Sequence, residues 1–160
     1  MNTSDYIALA ALAISGYAVL QSHLTNARTE TARREAHAAQ AAAERRALVD
    51  QVFLEAHGLA DDVRLHGGAA DRTRQRANDM ETKSGSREHS GFALIRRNCD
   101  GKQIEAENAY TEHAKVLLAE GVGTLAPRSI EELESMLRDL KKARGRVRVL
   151  IEETEALLPK

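Results

Sequence analysis

Small and apolar residues recur along this chain at alternating spacings of four and three, and the size of the residue in the pattern changes from tract to tract. Between residues 4 and 43 the repeat is carried by Ser4, Ala8, Ala11, Ser15, Ala18, Ser22, Thr25, Thr29, Ala32, Ala36, Ala39 and Ala43. That is a 3.5-residue period, the signature of a helix seam. Half of residues 4–43 are Ala, Ser, Thr or Gly, so an Ala-rich composition supplies part of the regularity. Larger residues take over one position out of register: Val49, Val52, Ala56, Leu59, Val63, Ala70, Ala77 and Met80.

Two further stripes follow. Phe92, Ile95, Cys99, Ala106, Tyr110 and Leu117 share helical spacing, as do Ile130, Leu133, Leu137, Leu140, Val147, Ile151 and Leu158. In the last stripe Arg144 and Thr154 occupy the remaining seam positions. Aromatics make up 3%, there is no Trp, and the apolar content comes largely from Ala and Leu with few runs of Val, Ile, Phe or Tyr, so the pattern predicts an all-α protein.

The breaks between stripes set the expected organisation. Gly58 and the pair Gly67 and Gly68 predict a kink or a helix end in the second stripe. Residues 83–91, KSGSREHSG, read as a polar linker. Asp100 and Gly101 form a turn-type pair, and Asp100 with Gln103 fits a capping box, which predicts a short helix before and a longer one over 102–120. Residues 121–127, GVGTLAP, predict a turn, and Ser129 with Glu132 predicts a capped helix running to Pro159. A turn between two such helices implies an antiparallel hairpin. The expected layout is a membrane anchor over 1–24, a long Ala/Arg/Glu-rich helix over 25–82, the linker over 83–91 and a helical hairpin over 92–160.

The anchor rests on residues 6–20, YIALAALAISGYAVL, which carry no charge. Fifteen helical residues rise about 22 Å against a hydrocarbon core of about 30 Å, so the expected span extends to residue 24. A cleaved signal peptide fits less well, because residues 1–5 lack Lys and Arg. A buried helix of a soluble domain competes, because Ala is only weakly apolar. Arg28, Arg33 and Arg34 follow the segment and only Asp5 precedes it, which predicts an outer amino terminus and a cytoplasmic body at a bacterial inner membrane. Within the span, Ala8, Ala11, Ser15 and Ala18 would let helices approach closely, so a homo-oligomer is the expected assembly.

Composition narrows the functional classes. The chain has 160 residues, 23 basic and 24 acidic, so no global field favours nucleic acid. Seventeen of the basic residues are Arg, which suits a GC-rich bacterial or phage genome. The single cysteine excludes an intramolecular disulfide framework.

Candidate chemistry is sparse. The six histidines form no HExxH motif and no di-iron Glu-x-x-His pattern. Asp62 and His66, with Glu55 and His57 about two turns earlier, are the nearest approach to a ligand set. Cys99 could act as a nucleophile only if His89 or His113 served as its base, and its place on an apolar stripe favours a packing role. The GVG of residues 121–123 lacks a phosphate-loop Lys. No cofactor is implied, and the chain is expected not to be an enzyme.

One local charge excess remains. Arg138, Lys141, Lys142, Arg144, Arg146 and Arg148 form a candidate anion-binding run, for phosphate of nucleic acid or anionic lipid. Glu105, Glu107 and Glu112 are available to neutralise it, and no interleaved aromatic offers a base a stacking platform. The expected function is self-association, or docking of a protein partner, by a membrane-anchored helical protein. Two alternatives are a lysis factor similar in architecture to phage inner-membrane spanins, which needs the opposite orientation, and a tethered binder of nucleic acid or anionic lipid.

Overall fold

A computed structural model describes residues 3–84 and 89–157, with side chains for residues 12–83 and 91–157. Four α-helices account for most of it: α1 Thr3–Ser84, α2 His89–His113, α3 Lys115–Glu120 and α4 Ile130–Glu155. A 3-10 turn over Val122–Thr124 lies between α3 and α4. No strand occurs among the described residues, as the pattern predicts. Two compact units divide the chain, Met1–Glu44 and Arg45–Lys160.

Within Met1–Glu44, every described side chain from residue 12 onward is exposed. The local bonds run along the helix: Gln21 donates to the Tyr17 hydroxyl at 2.8 Å, and Arg34 pairs with Glu30 at 2.7 Å. Thr25 and Thr29, both members of the small-residue seam, donate their hydroxyls back to carbonyls of the preceding turn. No helix among the described residues is long and apolar enough to cross a membrane. The membrane-helix expectation therefore gains no support from the fold. Its uncharged core is short, its extension adds Gln21, Ser22 and His23, and the side chains of residues 6–11 lie outside those described.

Arg45–Lys160 is a three-helix bundle. Contacts from α1 to α4 rise together in number, from Glu55 with Arg144 to His66 with Thr154 and Arg72 with Glu155, so these two helices run parallel. Helix α2 runs against both, pairing Arg96 with Glu81 of α1 and Lys102 with Glu153 of α4. The hairpin expected over 92–160 is thus completed by the second half of α1.

Two zones fill the interior. From the α3–α4 connection through most of the length of α4 the core is built from larger aliphatics, among them Val52, Leu59, Leu117, Leu125, Leu133, Leu140, Val147 and Leu150. Toward the other end the buried positions shrink to Ala69, Ala70, Thr73, Ala77, Cys99 and Thr154. Small residues allow closer helix approach, and polar ones must then find partners in the interior.

The expected break at Gly58, Gly67 and Gly68 does not occur, because α1 continues through all three. Glycine weakens a helix by about 1 kcal/mol per residue, which packing on one face offsets. The expected break at Asp100 and Gly101 is also absent. Asp100 and Gln103 do not cap a helix; both accept from Arg74 of α1, at 3.0 and 2.5 Å. The interruption falls instead at Ala114, between α2 and α3. Of the linker expected over 83–91, residues 83–84 and 89–91 are helical, and 85–88 lie outside the described residues.

The capping box at Ser129 and Glu132 is present, with reciprocal bonds of 3.2 and 2.8 Å. Ahead of it, Gly121 ends α3 at φ 73° and ψ −169°, a region that excludes a Cβ without strain. Leu125 is fully buried, and the Arg45 guanidinium holds the carbonyls of Ala126 and Arg128. Side-chain packing and one arginine thus fix the connection.

The glycines of α1 separate by what a methyl would meet. At Gly67 a Cβ finds no atom within 4 Å, whereas at Gly58 it lies 2.5 Å from the Arg144 Cζ. Gly67→Ala should raise stability by about 0.5–1 kcal/mol through helix propensity. Gly58→Ala should fall about 1–2 kcal/mol below it, because the displaced guanidinium loses its carboxylates. Urea denaturation of both variants measures the difference, and equal stabilities would show that Arg144 does not need the gap.

Candidate functional site

The basic run of α4 is the local charge excess of the sequence, and the fold divides it in two. Arg144 is drawn inward, its Nε 2.8 Å from Asp62 and its Nη1 3.0 Å from Glu55. Arg148 donates to the same Asp62 oxygen at 3.0 Å. Arg146 faces α2, 2.7 Å from Glu105 and 3.7 Å from Glu153. Arg138, Lys141 and Lys142 are exposed.

Helical geometry explains the division. Residues 144 and 148 are one turn apart and share the edge of α4 beside α1, whereas 146 lies on the edge toward α2. Asp62 is buried on α1 and accepts from both edge arginines. Hydrogen bonds to Asp62 and Glu55 hold the Arg144 guanidinium above its usual pKa, so it stays charged at every relevant pH. Of the acids expected to neutralise the run, Glu105 does so; the other partners are Glu55 and Asp62 of α1 and Glu153 of α4 itself. Phosphate contact is therefore open mainly to Arg138, Lys141 and Lys142.

Of the residues considered for a metal, His57 is exposed and the other three are used within the fold. Glu55 and Asp62 hold Arg144, while His66 is fully buried with its Nε2 3.1 Å from the Thr154 hydroxyl. Among the described residues, no group of three or more His, Cys, Asp or Glu side chains is arranged to hold a metal ion.

Cys99 is buried on α2, and burial pushes its thiol up from the ordinary value. His113 is fourteen residues further along the same helix, about 21 Å away by helix rise, and the His89 side chain lies outside those described. A proton-transfer pair requires about 3 Å. The thiol therefore sits in the α1–α2 packing zone with no base from His113.

A shallow groove of about 210 Å³ lies beside the break at Ala114, bordered by Glu112, His113, Arg128 and Asp139. It combines opposite charges and opens to solvent. His113 Nε2 is 3.8 Å from the Glu112 carboxylate, too far for a hydrogen bond. In Met1–Glu44, a strip of about 350 Å³ runs along α1 past Leu24, Ala27, Thr31 and Ala32. Of the expected helix-packing residues, Ser15 and Ala18 are exposed, and the side chains of Ala8 and Ala11 lie outside those described.

Fold and surface together define an all-helical bundle whose most prominent polar feature is an inward-facing arginine clasp. Comparison with family models, curated proteins and solved structures finds no match to the chain.

The clasp missed by the sequence pattern had one visible trace, the placement of Arg144 at a seam position of an otherwise apolar stripe. Asp62→Ala removes the acceptor shared by Arg144 and Arg148 and should cost about 2–3 kcal/mol. A double-mutant cycle with Arg144→Met, followed by chemical denaturation, should return a coupling energy above about 1 kcal/mol. Additive losses would show that the two side chains do not act together.

Proposed function

We propose that the protein is a non-enzymatic docking protein of a bacterium or phage, attached to a membrane through its first helical segment and self-associating there. The observation that carries this reading is the exposure of Leu12, Ile14, Tyr17, Val19, Leu20 and Leu24, each 52–75% accessible. Apolar residues left open in such density mark an association surface, whether for lipid or protein. The small residues Ser15, Ala18, Ser22 and Thr25 between them suit close helix contact.

The bundle of Arg45–Lys160 serves in this reading as the part that engages a protein partner on the cytoplasmic side. The supporting feature for that side is the asymmetry of Arg28, Arg33 and Arg34 after the apolar tract. Arg138, Lys141 and Lys142 would add attraction to anionic headgroups or to an acidic partner surface.

Cysteines introduced at Ala18 and Ala36 should crosslink into dimers in isolated bacterial membranes, and recovery of monomer alone would end the self-association reading. A fluorescent reporter at the carboxyl terminus should be active in the cytoplasm and sediment with membranes. Alkaline phosphatase activity at that terminus would instead favour a periplasmic, spanin-like protein, and a freely soluble reporter would remove membrane attachment.

A further inference from the structure

His66 is fully buried where α1 meets α4. Its Nε2 lies 3.1 Å from the Thr154 hydroxyl, and its Nδ1 is buried without a hydrogen-bond partner. Thr73 donates to the Thr154 carbonyl at 3.5 Å, so two α1 side chains grip the same residue of α4. We propose that His66 is a proton-sensitive latch: neutral, it ties the last turns of α4 to α1, and protonated, it releases them.

The charged surroundings decide the direction. From α2, Lys102 faces the ring, and from α1, Arg74 does so two turns further on. Each carboxylate that could answer an imidazolium is already engaged. On α1, Asp62 takes Arg144 and Arg148; on α2, Glu105 takes Arg146; on α4, Glu153 takes Lys102. The Leu150 carbonyl of α4 bears on the ring and favours its protonated form, although Nδ1 has no partner in the resting geometry. An added proton would therefore place a cation in a fully buried position beside Lys102 and Arg74, with the Leu150 carbonyl and Glu105 offsetting only part of that cost.

Burial lowers the His66 pKa from 6.5; Lys102 and Arg74 add to the shift, and the Leu150 carbonyl and Glu105 oppose it. A depressed histidine stabilises the closed state fully above the open-state value of 6.5. That stabilisation is lost as pH falls from there through the lower closed-state value. The end of α4 yields first. Beyond Leu150 it is held by Thr154, by the Glu153 pair and by an exposed Arg72–Glu155 contact of 3.5 Å, whereas residues 133–150 carry the leucines of the core.

Amide hydrogen exchange of the full chain tests the latch, with rates corrected for intrinsic pH dependence. In the natural protein, protection over residues 151–156 should fall by up to about tenfold per pH unit below 6.5, the limit for one proton. His66→Gln should remove that dependence, while His57→Gln, on an exposed position, should retain it. Protection that does not change with pH, or a His66→Gln variant that keeps the natural drop, overturns the proposal. Should His66→Gln fail to fold, NMR titration of the ring in the natural chain decides: a pKa below 6.5 supports the latch, and one at or above 6.5 overturns it.

Discussion

Arg144 lies against α1 at the bare Cα of Gly58 and places its guanidinium between Glu55 and Asp62, and the parallel pairing of α1 with α4 is organised around that crossing. Helices that sit parallel in an up-down-up bundle share no short connection, so side chains alone must set their register. A partly buried arginine with two carboxylates sets it more sharply than leucines do, because an offset would leave a charge in the interior without a partner. Arg148 on the same Asp62 extends the contact by one turn.

Around this clasp the bundle is graded. Leucine and valine fill the end near the α3–α4 connection, where Leu125 folds inward beneath the helices. Beyond Leu150, around Thr154, the buried residues become alanine, threonine, cysteine and histidine, and the hydrophobic gain per residue falls. Cohesion there depends on Arg74 holding Asp100 and Gln103, Lys102 holding Glu153 and His66 meeting Thr154. The two ends should therefore differ in how tightly they are held, and in their response to acid.

Several features of this architecture were legible in the residues. The 3.5-residue stripes fixed the helical class, and the Ser129–Glu132 capping box marked the start of α4. Gaps in the stripes were informative in a way that periodicity could not anticipate. His66, Thr73, Arg144 and Thr154 occupy seam positions without an aliphatic side chain, and each makes a polar contact between helices. Local signals misled where a distant partner changed the balance. Asp100 and Gln103 look like a cap until Arg74 takes both, and Gly58 looks like a break until Arg144 needs the space. The candidate anion run was legible as a charge excess, but its division into acid-paired and unpaired members depends on α1 and α2.

The sequence by itself determined that the chain is helical, where α4 begins, and that charge is balanced overall, because propensity, capping and composition act over a few residues. Only the tertiary structure decided that α1 runs unbroken past three glycines, that Arg144 of the basic run turns inward while Arg146 and Arg148 pair with acids at the surface, and that His66 lies without solvent between two helices. Each of these follows from groups that are distant in sequence and adjacent in space. Their energies exist only once the helices have met.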